Sequence, residues 1–236
     1  MLSNYWLILI ILTTVAYISV KAGKLTTTAA ITGWITGLLI FAGAHYVGIA
    51  MIGAFFVLGT EATSAGMNIK QKLGLAEKDK GRRTAGQVIA NAGVAAILGI
   101  LTALYPVKTD LYILMMAASF ASAAADTLSS ELGNVYGKNF YNIITLKKDI
   151  RGLNGVISME GTIIGIEGST IIATIYALYF GLNADFLLII IAGTTGNLSD
   201  SILGATVERK GYFNNNAVNF LNTAIAALFI ILTKMH

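Results

Sequence analysis

The chain has 236 residues, of which 56% are hydrophobic and only 12% charged, with a formal net charge of +4 at pH 7. That is more apolar surface than a soluble domain of this length can bury, so the composition excludes an ordinary globular enzyme and fits a polytopic membrane protein, a single integral membrane domain over residues 1–236. The absence of cysteine excludes disulfides, thiolate metal sites and cysteine nucleophiles, and the basic residues sit in short loops between apolar spans, which topology explains better than nucleic acid does.

A membrane-spanning helix needs about 20 predominantly apolar residues. Eight segments qualify, near residues 3–20, 26–44, 48–65, 86–104, 110–129, 160–180, 185–203 and 217–234, and they predict an all-α polytopic helix bundle. The first run has the length of a signal-peptide core, yet no basic residue precedes it and Lys21 and Lys24 follow it. It reads as a retained helix with its amino end outside. When Lys and Arg are assigned to alternate sides of the membrane, fourteen of the sixteen fall together. These are Lys21 and Lys24, then Lys70, Lys72, Lys78, Lys80, Arg82 and Arg83, then Lys138, Lys147, Lys148 and Arg151, then Arg209 and Lys210. Only Lys108 and Lys234 remain for the other side. The positive-inside rule then places both termini outside the cell membrane and the three long loops in the cytoplasm.

Helices three and four, five and six, and seven and eight form pairs of one orientation, each with an acid near the end of its first member (Glu61, Asp126, Asp200) and a basic loop. This predicts a weak parallel repeat. Gly33 and Gly37, Gly161 and Gly165, and the ladder Ala117, Ala121, Ala125 recur at intervals of four, which puts each set on one helix face and predicts close packing. Pro106, the only proline, stands where the fourth helix ends.

Five acids lie within or at the ends of spans: Glu61, Asp126, Glu160, Glu167 and Asp200. A charged side chain at the centre of a membrane helix costs ~2.5 to 3.5 kcal/mol on insertion scales, so such residues belong where they line a polar cavity or meet a partner. Under the topology above all five sit toward the cytoplasmic leaflet. Asp110 and Asp185 lie at the outer starts of helices, where capping and the helix dipole account for them. Amides accompany the acids: Gln87 and Asn91 one turn apart, Asn197 three residues before Asp200, Asn219 and Asn222 on one face of the last helix, and Asn154 in the turn from Gly152 to Gly155 that leads to Glu160. Singly each is more often an interhelical hydrogen bond; together they mark one depth.

Magnesium binds through one or two carboxylates and completes its shell with water and phosphate. Phosphoryl transfer asks for positioning and charge neutralisation by that metal and by Lys or Arg. Acids inside a rim of bases therefore suit a metal-bridged nucleotide meeting a lipid-borne acceptor. A Walker A motif and a GxGxxG motif are absent, and His45 and His236, the only histidines, are too peripheral for a metalloprotease.

Several segments then resemble a known family. They are Gly74 to Glu77, Gly81 to Arg83 and Gln87 to Asn91; Ala125-Asp126-Thr127 with Ser130 to Gly133; Gly152 to Gly161; and Asp200 to Ala205 with Asn216 to Phe220. Over roughly residues 5–233 the chain resembles the integral-membrane family that contains phytyl-phosphate kinase and the eukaryotic transmembrane protein 19. Here Asn154-Gly155-Val156 stands where Asn-Gly-Gly is common, and Leu128 where a tryptophan often follows Asp-Thr.

The resemblance implies a kinase that converts a prenyl monophosphate, phytyl or geranylgeranyl phosphate, into the diphosphate. CTP is the expected donor, by analogy with the related phytol and dolichol kinases. On this reading Asp126, Glu160 and Asp200 bind Mg2+, with Glu167 a further ligand and Glu131 a ligand or its support. Asn91, Asn154 and Asn219 position phosphate or the metal-binding carboxylates, and Arg82, Arg83, Lys147, Lys148 and Arg151 hold the nucleotide. The expected partners are a nucleoside triphosphate, a prenyl phosphate and membrane lipids, without nucleic acid. Two rival classes use the same residues: a transporter of a prenyl or ionic substrate, whose acids belong near the midplane, and a cytidylyltransferase-like lipid enzyme.

Overall fold

In a bilayer every backbone polar group has to be satisfied within the protein, so apolar runs of this length fold as helices. The computed structural model describes residues 2–76 and 81–234. Lys78 and Lys80 of the second basic loop, Glu77 and His236 lie outside the described residues. The helices are α1 (Leu2–Lys21), α2 (Thr27–Ser64), α3 (Met67–Lys72), α4 (Ala85–Leu104), α5 (Thr109–Tyr136), α6 (Met159–Phe180), α7 (Ala184–Leu203) and α8 (Asn215–Lys234). Two antiparallel strands of two residues each, β1 (Tyr141–Asn142) and β2 (Val156–Ile157), join α5 to α6. Six of the described helices are long and apolar enough to cross a membrane, which makes the protein an all-α polytopic membrane bundle.

The sequence predicts two helices over 26–65, whereas α2 is one continuous element of 38 residues. Straight, it would be roughly 57 Å long. It is instead a hairpin, because His45 adopts φ 48° and ψ −139° and the two ends of α2 return to the same place. Lys24 Nζ, just before the helix, donates to Ser64 Oγ in its last turn at 3.0 Å. The reversal is packed by aromatic edges: Phe41, 1% exposed, meets Tyr5, His45 and Tyr46 with ring centroids 5.3 to 5.7 Å apart. The two arms of α2, 27–44 and 46–64, correspond to the second and third apolar runs of the sequence, and α1 is a shorter apolar helix beside them.

Helix boundaries follow local chemistry. Thr26, Ser158 and Asn183 accept backbone N–H bonds as N-caps of α2, α6 and α7. Thr84 and Gln87 form a reciprocal capping box on α4. Pro106 opens a short 3₁₀ turn, Pro106–Lys108, where its missing N–H is not needed. The polar stretch after residue 129 continues α5 to Tyr136.

At the centre stands α5, buried without a break from Ile113 to Asp126 and packed against α2, α4, α6, α7 and α8. Only small residues let so many helices approach one axis. Ala117, Ala121 and Ala125 are fully buried. Gly161 faces Gly133, whose hypothetical Cβ would lie 2.9 Å from the Gly161 Cα. A Cβ on Gly165 would stand 3.1 Å from the Ala125 carbonyl, and one on Gly193 2.7 Å from Ala121 Cβ. Elsewhere α2 crosses α4 at Gly43 and Gly99, where a Cβ on Gly43 would stand 2.6 Å from the Gly99 Cα. Gly33 has open space around it and Gly37 meets only the Leu12 side chain.

Basic groups gather at one end: the Arg83 backbone N–H donates to the Lys24 carbonyl at 2.9 Å, and the Thr26 N–H donates to the Arg83 carbonyl at 3.0 Å. At the opposite end Lys234 is paired with Asp185 at 2.6 Å.

A methyl group at Gly99 collides with the Leu39 carbonyl, a backbone atom, whereas one at Gly53 meets nothing within 4 Å. Gly99→Ala is therefore expected to cost about 1 to 3 kcal/mol through overpacking, read as a lower midpoint of tryptophan-monitored thermal unfolding in detergent. Gly53→Ala should leave the midpoint unchanged. Equal midpoints for both variants would refute the close α2–α4 crossing.

Candidate functional site

The basic end of the bundle encloses a cavity of about 200 Å³. Three helices begin at it, and their N-caps and first two turns supply Gln87 and Asn91 (α4), Ser158 and Gly161 (α6), and Asn215 and Asn219 (α8). Helix amino ends carry partial positive charge and free N–H groups, which favour anions. Helices that end there bring acids and further amides: Asp126, Glu131 and Asn134 from α5, and Asn197 and Asp200 from α7. A π-helical turn, Gly204–Glu208, extends α7 and adds Glu208.

The carboxylates of Asp126 and Asp200 lie within interaction distance of one another. Asp200 Oδ1 accepts from Asn222 Nδ2 at 2.7 Å, and Asn222 Oδ1 in turn accepts from Ser122 Oγ at 3.1 Å, which ties α7, α8 and α5 together. Ser129 Oγ bridges the Asp126 carbonyl and Asn197 Oδ1, each at 3.0 Å. Glu208 is hydrogen-bonded to the Asn154 side chain and lies near enough to Asp200 for the two charges to repel. Asn91 donates from Nδ2 to the Gln87 carbonyl at 2.9 Å, but its buried Oδ1 has no partner among the described residues.

Glu131 is ion-paired with Lys70, which is only 2% exposed. Lys70 also donates to the Ala62 and Thr63 carbonyls, at 2.7 and 3.2 Å. It thereby caps the end of α2 where the helix dipole favours a cation.

A strap over residues 137–158 roofs the cavity, contributing Phe140 and Gly152 to Ser158 to its lining. It is fastened at several points. Arg151 donates to the Gly137 carbonyl at 2.7 Å and lies over the Phe140 ring at 4.5 Å. Arg209 donates to the Asn154 carbonyl at 2.6 Å and to Asp149 at 2.9 Å. Gly155, at φ 73°, has to be glycine for space as well as conformation, since a Cβ would collide with Ala205 of the π-helical turn. The Asp149 carboxyl is held below the usual carboxylate range, first by the Ile150 N–H and then by Arg209 and Asn142.

Of the residues expected from sequence, Asp126, Glu131, Asp200, Arg83, Asn91, Asn154 and Asn219 line this one cavity. Others stand outside it. Glu160 accepts from the Lys138 backbone N–H at 3.4 Å, Glu167 is exposed on α6, and Glu61 is exposed in the last turn of α2. Thus Glu160 and Glu167 are not brought to the Asp126 and Asp200 pair. Arg82 is exposed just before α4, Lys147 and Lys148 are exposed on the strap, and Arg151 fastens the strap. Sequence reasoning missed Glu208 and the burial of Lys70. Glu208 adjoins Arg209 and Lys210 and reads as a loop charge; nothing in the sequence marks the π-helical turn that draws it inward.

Among the described residues no group of three or more His, Asp or Glu side chains is arranged to hold a metal ion. Oxygen donors are nevertheless abundant, namely two facing carboxylates, several amides and the unpartnered Asn91 Oδ1.

Over residues 10–227 the chain matches the family described as integral membrane protein DUF92. It is similar to protein VTE6, chloroplastic, of Arabidopsis thaliana, with 32% identity over 209 residues covering 85% of this chain and 62% of that protein. The chain thus spans less than two thirds of the Arabidopsis protein's length. An uncharacterized membrane protein of Synechocystis is 31% identical over 201 residues, 84% of this chain and 78% of its own. One of Methanocaldococcus jannaschii is 32% identical over 195 residues, with 83% and 79% covered. No solved structure matches.

Removing one partner of a buried ion pair leaves an uncompensated charge, at a cost of about 3 to 5 kcal/mol. Lys70→Met is expected to lower thermal stability on that scale, and the double variant Lys70→Met/Glu131→Gln to recover much of it. Absence of recovery would mean that Lys70 acts through the α2 carbonyls alone. On the strap, the depressed Asp149 carboxyl stabilises the fold fully above the ordinary aspartate value of ~3.9, and this is lost as pH falls through the lower folded value. Hydrogen exchange of residues 141–157 should therefore stay slow down to about pH 4 and accelerate below it, and Asp149→Asn should show the fast exchange already at pH 7.

Proposed function

We propose that this chain, which belongs to the DUF92 family of integral membrane proteins, is a prenyl-phosphate kinase. It would transfer the terminal phosphoryl group of a nucleoside triphosphate to a prenyl monophosphate, phytyl or geranylgeranyl phosphate, releasing the prenyl diphosphate and a nucleoside diphosphate. The observation that carries this reading is the apposition of Asp126 and Asp200 inside an amide-lined cavity at the basic end of the bundle. The resemblance of the chain's motifs to phytyl-phosphate kinase supplies the substrate class, and the related CTP-using lipid kinases point to CTP as donor.

The all-oxygen donor set fits Mg2+, which two carboxylates with phosphate and water suffice to bind. Asp126 and Asp200 would hold it, and when bound it would neutralise charge on the nucleotide phosphates. The chain's own groups do the positioning. Arg83 and the amino ends of α4, α6 and α8 attract and orient phosphate oxygens. Asn91, Asn154 and Asn219 direct the acceptor and fix the carboxylates, and the strap excludes water from the reacting phosphates. An acceptor phosphate oxygen is already ionised near neutral pH, so it attacks the terminal phosphorus without a general base while the bond to the nucleoside diphosphate breaks. Lys147 and Lys148, exposed on the strap, draw nucleotide in through the long-range field. The positive-inside rule assigns this end to the cytoplasm.

Purified protein offered nucleoside triphosphates with phytyl or geranylgeranyl phosphate should yield the prenyl diphosphate. EDTA should abolish the reaction and Mg2+ restore it. Asp126→Asn and Asp200→Asn should each lower kcat at least ~10²-fold, the scale of a lost electrostatic contact in a desolvated site, without changing the elution profile. Near-wild-type rates in these variants would overturn the assignment. A nucleotide-linked lipid with pyrophosphate would mark nucleotidyl transfer instead, and nucleotide-independent uptake into proteoliposomes would mark transport.

A further inference from the structure

A second cavity, about 140 Å³, lies between α1, both arms of α2 and the start of α4. Its walls are apolar, with Leu12 and Val15 from α1, Trp34, Ile52 and Phe56 from α2, and Val88 from α4. Among the described residues its one charged lining group is Arg83, and Arg83 lines the acid and amide cavity as well. The guanidinium lies over the Phe55 ring at 5.1 Å, and Phe55 is itself part of the apolar wall. A side chain at Gly59 would collide with the guanidinium, so glycine there leaves the space that the Arg83 side chain occupies. Two cavities of opposite character thus share a single cation.

The apolar space is built by omission. Gly33 on the outbound arm of α2 and Gly53 on the return arm both line it, and a Cβ on either would meet nothing within 4 Å. On the outer side α1 is held to α2 by a hydrogen bond from Trp34 Nε1 to Thr13 Oγ1 at 3.2 Å. An amphiphile with an anionic head and a hydrocarbon tail matches this arrangement: the cation for the head, the greasy cleft for the tail, and the reacting cavity immediately beyond the cation.

We infer that the cleft between α1, α2 and α4 seats the prenyl tail of the acceptor, with Arg83 holding its phosphate at the threshold of the polar cavity. The identity of the head group rests on the kinase reading; the seat of the tail rests on Arg83 lining both cavities. In this arrangement chain length is sensed by α2, remote from the Asp126 and Asp200 pair.

The test fills the cleft without touching the reacting cavity. Gly53→Leu, and Gly33→Leu as a second variant on the facing arm, place an isobutyl group where no atom now stands. Each is expected to raise KM for phytyl and geranylgeranyl phosphate at least tenfold while leaving kcat, and KM for dimethylallyl phosphate, unchanged. An equal effect on long and short acceptors, or none on either, would overturn the inference. A readout that needs no turnover uses a geranylgeranyl phosphate carrying a terminal diazirine. Photolabelling should map to α1, α2 and the start of α4, be competed by unlabelled geranylgeranyl phosphate, and fall in Gly53→Leu. Labels on α6 to α8, or equal competition by dioleoyl phosphatidylcholine, would refute the seat. Wild-type turnover in the same preparation reports on the kinase reading alone, so its absence would leave the labelling pattern to decide where the tail lies.

Discussion

Two carboxylates facing each other at the end of a helical bundle are costly, and most of the surrounding architecture offsets that cost. Asp126 and Asp200 cannot both be charged in a membrane-embedded site unless dipoles and hydrogen-bond donors surround them. Asn222 supplies a donor from α8, and its own oxygen is satisfied by Ser122 on α5. Three helices start beside the pair rather than end there, so their dipoles oppose the negative charge. Lys70 removes a third carboxylate, Glu131, from the sum by pairing with it. A cation accompanied by anionic ligands would complement a site arranged in this way, which is what the proposed kinase reading asks of it.

Those contacts depend in turn on close packing. Asn222 can reach Asp200, and Ser129 can reach Asn197, because glycine and alanine line the faces where α6 and α7 meet α5. Lipid supplies no hydrophobic drive between helices, so van der Waals contact and these buried hydrogen bonds hold the bundle together. Packing and site are therefore one system: the alanine ladder of α5 and the serines interleaved with it, Ser122 and Ser129, belong to the same helix and serve both ends.

Much of this was legible in the sequence. The spans of α4, α6, α7 and α8 are evident because hydropathy reports burial in lipid directly, and depth along a helix follows from residue number. Asp126, Asp200, Asn91, Asn154 and Asn219 could be gathered at one level for that reason. What sequence does not give is azimuth. Glu167 shares its depth with the site but points away from it, since nothing local distinguishes the lipid side of α6 from the protein side. The continuation of α5 past Ser129 was hidden because polar residues there face a cavity rather than a loop. Glu208 was hidden by an irregular turn that hydrogen bonding between residues five apart creates.

The reversal at His45 sets the parity of the whole chain. Because α2 enters and leaves by the same end, α4 starts beside the residues that open α2. Were 27–64 a single straight crossing, every later helix would run the opposite way, and the acids of α5 and α7 would no longer share an end with Lys24. One residue with a positive φ thus decides on which face of the membrane the later loops emerge, and the electrostatic match between the first third of the chain and the rest depends on it.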